Sequence, residues 1–257
     1  MINEFIKKTR LDNNLSKSFV SNKLGMSRPT YEKVESGEKE LTYSDLKKLA
    51  GIFQIPVNNL IAKKDFEINI NIKKTKNIEK TENDMRINVP QKNIEKLKEV
   101  FLYILVKVGN KPNVGESVIN KLLYFIDFDY YEKYEEQLIG ATYIKNHYGP
   151  TPCELGIVLK EMEKNKEILS VSNKVFDFEQ KKFIALRDPN LLVLNARELD
   201  HINEVLDRLS NKNAKEISEY SHGDIPWKAY KDGDTIDYES VFYRDDKYSV
   251  RVYNDEL

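Results

Sequence analysis

Two spacings of apolar residues divide the chain into three stretches. Up to position 62, apolar residues recur every three or four positions in short runs, which predicts a cluster of short helices. From position 93 onward the same spacing extends over longer runs and predicts longer helices. We therefore predict an amino-terminal domain over 1–65, a linker over 66–92 and a larger domain over 93–257.

The linker has a different pattern. Apolar and polar residues alternate over 66–72 and again over 85–89, and a period of two is typical of a strand with one buried face. One interpretation is a strand pairing that docks the two domains or joins two protomers. The other is a disordered linker in which the isoleucines are incidental, and the sequence leaves both open.

The larger domain mixes the two patterns, which predicts an α+β fold of several helices with a small antiparallel sheet. Helical spacing occurs over four segments, namely 94–108, 118–126, 152–165 and 196–210. Alternation predicts a short strand over 141–145, a β-hairpin over 168–187 with its turn near 179–181, and short strands from 233 onward. The chain as a whole is predicted to be mainly α.

Composition narrows the classes of protein. The 257 residues, 40% of them hydrophobic, can fill two cores. No apolar run approaches bilayer length and no signal-peptide pattern opens the chain, so we expect a cytoplasmic protein. Cys153 is the only cysteine, which excludes an internal disulfide and zinc sites built on several cysteines.

The net charge of −1 hides an asymmetry between the two domains. Residues 1–65 hold 12 Lys or Arg against 8 Asp or Glu, so they carry +4 and the other residues carry −5. A nucleic-acid-binding unit joined to a protein-binding unit shows this distribution.

The segment 17–37 contains the features of a helix-turn-helix in the required order. Gly25 provides the permissive backbone at which the chain reverses. Ser27 is placed to cap the next helix, Pro29 is tolerated in its first turn, and Gly37 ends it. The inner face of the first helix is predicted to contain Phe19, Val20 and Leu24, and that of the second Tyr31 and Val34.

Over residues 2–61 the chain resembles the Cro/CI (XRE) family, whose DNA-binding domain is a five-helix, lambda-repressor-like fold. The resemblance implies a buried structural ion pair between Arg10 and Glu35. It also matches Arg28, Pro29 and Lys33 to the base-reading positions and Lys17 to the phosphate-contacting start of the second helix. With Thr30, which the helical spacing places on the same outward face, these residues make up the predicted DNA-binding surface. In that surface Lys17 contacts a phosphate, and Arg28 can bind guanine in a bidentate contact that contributes about 1–3 kcal/mol of discrimination.

Pro29 departs from the polar residue usual in the family and can only pack on a thymine methyl group. One copy of the amino-terminal domain, which we call the head, reads only a few base pairs. We therefore expect a homodimer on a palindromic operator. The alternative is a head that serves protein contacts alone, but the retention of Arg28 and Lys33 favours DNA binding.

The sequence gives little sign of catalysis. The histidines His147, His201 and His222 form no His-Glu-x-x-His pattern, and no nucleotide-binding glycine loop is present. His147 and Cys153 are conceivable as a nucleophile pair or half a metal site, although a turn histidine and a semi-buried cysteine are the simpler interpretation. The acidic run over 127–136 suits a cation or, more commonly, a solvated helix face. We expect no enzyme activity, no cofactor and no metal.

Aromatic residues and turns distinguish the larger domain. Residues 121–127, KLLYFID, open a segment crowded with tyrosines, followed by the turn Tyr148-Gly149-Pro150 and by Ser221-His222 ahead of Trp227. In this order, over about 94–245, these motifs resemble the Panacea (SocA-like) antitoxin domain. Within that resemblance Tyr148, Gly149, Pro150, Ser221 and His222 have structural roles.

The resemblance implies an antitoxin that binds its cognate protein toxin, encoded by an adjacent gene, and blocks it directly or hands it to a cellular protease. The aromatic side chains best suited to the toxin contact are Tyr130, Tyr131, Tyr134 and Trp227. The head would then repress the antitoxin's own operon. The alternative is a prophage-type transcriptional regulator whose larger domain senses a ligand or a phage protein.

Overall fold

A computed structural model describes residues 2–12, 15–53, 55–62, 93–175 and 178–251. The two interpretations of the linker over 66–92 concern a stretch that lies outside the described residues. Two hydrophobic cores are present, one built from residues 6–60 and one from residues 97–241. None of the described helices combines the length and the apolar character needed to cross a bilayer.

The amino-terminal domain consists of five helices, as predicted. They are α1 (Ile2–Asp12), α2 (Lys17–Leu24), α3 (Arg28–Ser36), α4 (Tyr43–Phe53) and α5 (Val57–Ala62). The Ser27 hydroxyl accepts a hydrogen bond from the Thr30 amide at the start of α3, a contact that stabilises such helices by about 1 kcal/mol. Gly25 and Gly37, with φ of 75° and 83°, end α2 and α3 in the left-handed conformation that favours glycine.

Most of the predicted inner positions of this domain are buried, including Val20, Leu24, Tyr31 and Val34. The prediction for Phe19 was wrong, because its side chain is 44% exposed. Phe19 lies on the side of α2 that faces the larger domain across a cleft, so its ring does not enter the core of its own domain.

The larger domain is α+β, as predicted. Its helices are α6 (Ile94–Val108), α7 (Glu116–Tyr134), α8 (Leu155–Lys164), α9 (Ala196–Leu209), α10 (Ala214–Gly223) and α11 (Ile225–Lys228). Two antiparallel hairpins accompany them: β1 (Tyr143–Asn146) with β2 (Gly149–Pro152), and β3 (Ile168–Val175) with β4 (Phe178–Ala185). Helix α7 is central, since every residue from Val118 to Glu132 is buried.

Three local predictions in this domain were wrong. The second hairpin pairs Val175 with Phe178, so 179–181 lie in strand β4 and not at the turn. Gly149 and Pro150 begin strand β2, and the turn lies just before them. The tail from 233 forms one isolated bridge, between Thr235 and Ile144, and then a 3₁₀ segment over 238–243 instead of strands.

The two domains are in contact. The Asn146 side-chain amide donates to the Gly51 carbonyl at 3.2 Å, and the Val57 amide donates to the Gly233 carbonyl at 3.2 Å. Lys160 reaches the Asp12 carbonyl at 2.5 Å. The tip of the β1–β2 hairpin and the loop at Gly233 are therefore the parts of the larger domain on which α4 and α5 rest.

Candidate functional site

The outward face of α3 carries four of the five residues predicted to bind DNA, and the fifth, Lys17, begins α2. Arg28, Pro29 and Lys33 are exposed on it, and the Thr30 hydroxyl lies 2.8 Å from that of Ser27. Arg10 and Glu35 lie beneath this face, where Arg10 Nε donates to Glu35 Oε1 at 2.5 Å and both side chains are buried. Because that ion pair joins α1 to α3, it holds the exposed face in a fixed orientation.

Glu32 lies between two cations of this face, and the sequence analysis did not single it out. Its Oε1 is 3.2 Å from Lys17 Nζ and 3.4 Å from Arg28 Nε. Lys17, and to a smaller extent Arg28, lowers the pKa of Glu32. The spacing of Arg28 and Glu32, four residues apart on a helix, was the signal available in the sequence.

In the larger domain the three separated motifs come together at one place. Gly149 has a φ of 109°, and a Cβ there would lie 2.6 Å from Lys121 Cε and 2.7 Å from Ser221 Oγ. No side chain fits between these atoms, which explains why glycine occupies the position. We call the residues that meet here the motif cluster: Lys121, Tyr148, Gly149, Ser221, His222 and Trp227.

A stack of cationic and aromatic groups forms one side of the motif cluster. The rings of His222 and Trp227 lie 4.1 Å apart and nearly parallel. Lys145 Nζ lies 3.9 Å from the centroid of the Trp227 ring, and the indole NH donates to the Asn146 carbonyl at 3.4 Å. Helix α11 is thereby attached to the tip of the β1–β2 hairpin.

The motif cluster is electropositive. Lys121 is only 2% exposed, donates to Ser117 Oγ at 3.2 Å, and has no carboxylate partner among the described residues. Burial lowers the pKa of Lys121 to about 8. Burial also lowers the pKa of His222, and the charges of Lys121, His147 and Lys145 lower it further. His222 Nε2 is buried and has no hydrogen-bond partner in the described part of the chain.

The structure separates the four aromatic residues predicted to face a toxin. Tyr130 and Tyr131 are buried, against His201 and Tyr238 respectively, so neither ring is available to a partner. Tyr134 is partly exposed at the end of α7, and Trp227 is half-buried. Tyr134 lies 13 residues along α7 from Lys121, about 20 Å at the rise of a helix, so it is remote from the motif cluster.

Tyr148 is an exposed aromatic residue that was not among the predicted toxin-contact residues. It was given only a structural role, yet its side chain is 59% exposed at the tip of the β1–β2 hairpin. Its carbonyl accepts a hydrogen bond from Ser218 Oγ on α10 at 3.2 Å. The Gly149-Pro150 pair that follows it favours a turn and was the signal available in the sequence.

Within α7 the acidic run is not a solvated face, whereas its last two members, Glu135 and Glu136, follow the helix and are exposed. Asp129 and Glu132 are buried, and both contact Arg244 at 2.7 Å. Asp224 contacts the same guanidinium at 2.7 Å. Burial alone would lower the pKa of Arg244, but Asp129 and Asp224 raise it well above its ordinary value. The carboxylates bind the tail of the domain to α7.

Asp127, the first residue of the run, accepts hydrogen bonds from the backbone amides of 139–141 and from the Tyr238 hydroxyl. Burial raises its pKa, and those hydrogen bonds oppose the shift. His147 is exposed at a hairpin tip, whereas Cys153 is buried beyond the other end of β2, which separates the pair considered for catalysis. Among the described residues no group of three His, Cys, Asp or Glu side chains is placed to hold a metal.

Two comparisons with protein families fit this geometry. Residues 6–60 match the family model described as Helix-turn-helix, and residues 119–228 match the model described as Antitoxin SocA-like, Panacea domain. The second match includes all six residues of the motif cluster. No curated protein and no solved structure matches the chain.

The two matched domains define a DNA-binding antitoxin or regulator. The chain joins an XRE-type helix-turn-helix domain to a SocA-like Panacea domain, which confirms both resemblances predicted from the sequence. The first domain implies DNA as a partner, and the second implies a toxin.

Proposed function

We propose that this protein neutralises a cognate protein toxin by direct binding through its larger domain, and that it represses its own operon by binding operator DNA through α3. The observation that carries the proposal is the convergence of the three motifs of the Panacea-matched stretch on one electropositive cluster. A cluster that contains a buried lysine without a carboxylate partner is costly to fold, and such features are concentrated at functional sites.

The toxin contact is proposed at the exposed edge of the motif cluster, around Tyr148 and Trp227. Tyrosine and tryptophan contribute most to binding energy when a partner covers them. The nearby charge of Lys145 favours a toxin surface that presents carboxylates. Tyr134 belongs to a different surface and is at most a peripheral contact.

The DNA contact is proposed for two copies of the head on a palindromic operator. Arg28 and Lys33 would read base edges in the major groove, and Lys17 would contact the backbone. On reaching DNA, Lys17 and Arg28 would exchange Glu32 for phosphate or base acceptors. The protein acts by binding in both roles, and we assign no chemical step to it.

A co-expression experiment with full-length protein tests the two roles separately. The candidate toxin encoded beside it is induced alone and with wild-type protein, and growth is measured. We expect Tyr148→Ala to reduce rescue, because it removes an exposed contact ring without opening the core. The matched control is Tyr243→Ala, which removes a tyrosine that is 78% exposed elsewhere on the same domain and should rescue fully.

The double variant Arg28→Ala, Lys33→Ala should lose operator binding in a gel-shift assay and still rescue growth. Loss of both activities in that variant would contradict the division of labour between the domains. The amount of toxin in the rescued cells distinguishes blocking, which leaves it unchanged, from delivery to a protease, which lowers it. A harmless neighbouring gene product would favour the prophage-type regulator.

A further inference from the structure

A cleft of about 510 Å³ opens between the amino-terminal domain and the tip of the β1–β2 hairpin. Helices α2 and α4 form one wall, and the hairpin tip with the loop at Gly233 forms the other. The residues on which the argument depends are Phe19, Lys23, Lys47, Lys48, Lys145 and Tyr148. The cleft therefore exists only because the two domains are docked, and its volume is that of a small-molecule site.

The charge of this cleft is one-sided. Four lysines line it, from α2, α4 and β1, against one carboxylate, Asp232, which leaves an excess of three positive charges. None of the four lysines forms an ion pair with any residue that the structure describes. Their contacts are with rings and with a carbonyl: Lys23 lies 5.5 Å from the Tyr148 ring, Lys47 lies 4.9 Å from the Tyr43 ring, and Lys145 donates to the Tyr230 carbonyl.

Uncompensated charge in a concave site concentrates the electric field and raises the local concentration of anions. Lysine ammonium groups bind phosphate as point charges and need no fixed planar geometry. Two part-exposed rings, those of Phe19 and Tyr148, stand at the cleft beside Lys23 and offer flat surfaces on which a base can stack. The combination of cations and rings in one concave volume is the chemistry that recognises a nucleotide.

We infer that the cleft between the two domains binds a small phosphorylated ligand of the nucleotide class, with its phosphates among Lys23, Lys47, Lys48 and Lys145. An acidic protein segment fits less well, because the site is a bounded cleft and not an extended surface. The ligand bridges both domains, so its occupancy stabilises their docked arrangement. The cleft shares Lys145 and Tyr148 with the proposed toxin contact, but Lys23, Lys47 and Lys48 lie on the DNA-binding domain, so variants of those lysines test the cleft alone.

The test is isothermal titration calorimetry of the full-length protein with ATP, GTP and inorganic tripolyphosphate at low ionic strength. The variant Lys23→Ala, Lys48→Ala removes two exposed cations of the cleft. We expect about tenfold weaker binding for each lysine removed, and weaker binding at higher salt. The control Lys7→Ala, Lys39→Ala removes the same charge from exposed positions on the same domain outside the cleft and should leave affinity unchanged.

A second variant, Phe19→Ala, tests the assignment to nucleotides. We expect it to weaken ATP or GTP binding several-fold and to leave tripolyphosphate binding unchanged. Equal affinities of wild-type protein for tripolyphosphate and for both nucleotides would overturn the nucleotide class. The inference as a whole is overturned if none of the three probes binds, or if the control variant loses as much affinity as the cleft variant.

Discussion

Two buried cations, one at each half of α7, have opposite environments. Arg244 packs against the second half of the helix and contacts Asp129, Glu132 and Asp224. Lys121 belongs to the first half and has one hydroxyl, that of Ser117, as its hydrogen-bond partner among the described residues. Buried charges in proteins are almost always paired. The paired arginine is explained by stability, whereas the unpaired lysine calls for another reason, and function is the one we propose.

The largest effect is expected at Arg244. Arg244→Met leaves Glu132 and Asp224 without a cation among the described residues and leaves Asp129 with Arg208 alone, and we expect it to lower the free energy of unfolding by about 3–5 kcal/mol in a urea titration. Arg251→Ala is the control, because it removes a half-exposed arginine paired with Glu135 and should cost less than about 1 kcal/mol. Similar losses in the two variants would remove the distinction between a structural network and a surface pair.

A substitution of Lys121 is expected to change the free energy of unfolding in the opposite direction. At pH 7 the ammonium is charged in both the folded and the unfolded chain, so the fold bears the cost of burying it. A fall of the pKa from 10.5 to about 8 corresponds to roughly 3 kcal/mol. We therefore expect Lys121→Met to raise the free energy of unfolding at pH 7 by up to that amount, and to weaken toxin neutralisation.

The pH dependence of the Lys121→Met effect has a definite sign. Between pH 8 and 10.5 the unfolded chain binds the proton that the folded protein has released, so the wild type gains stability as the pH rises. The advantage of the methionine variant should therefore shrink over that window. A variant that is less stable than the wild type at pH 7, or an advantage that does not change with pH, would contradict the buried unpaired charge.

A smaller effect on stability is expected at Gly149, the residue of β2 that lies against Lys121. Gly149→Ala places a Cβ against Lys121 Cε and Ser221 Oγ at a positive φ, so we expect a loss of about 1–3 kcal/mol. Lys121→Ala in the same chain removes one of the two clashes and should recover part of the loss. Strict additivity of the two changes in a double-mutant cycle would show that the motifs do not interact.

The sequence predicted the elements that depend on local signals. Ser27, Gly25 and Gly37 mark the boundaries of α2 and α3 because capping and left-handed turns are properties of a few adjacent residues. The same kind of signal was present and unused at α10, where Asn213 and Glu216 form a capping box. The hairpin turn was misplaced because alternation fixes which face a strand presents but not where it reverses.

The site could be predicted only in part, because its properties depend on contacts between distant residues. The order of the motifs identified the residues that meet, but not that Lys121 fills the space beside Gly149. The acidic residues of α7 looked like a solvated face because Arg244, their partner, is more than a hundred residues away. Tyr130 and Tyr131 were taken for contact residues because α7 carries more rings than one buried face accommodates, whereas the helix is enclosed on all sides.

The hydrogen bonds of Asn146 to Gly51 and of Val57 to Gly233 limit which amino-terminal domains can replace the one in this protein. A head grafted from another repressor would need its helices equivalent to α4 and α5 to place a carbonyl and an amide at the same points, and a residue as small as Gly51 to admit Asn146, since a Cβ there would lie 3.2 Å from Asn146 Oδ1. Without these, a chimera would retain two folded domains but lose the cleft between them. The two domains are therefore not freely interchangeable parts, and successful exchange by recombination is restricted to partners whose surfaces at this seam already agree.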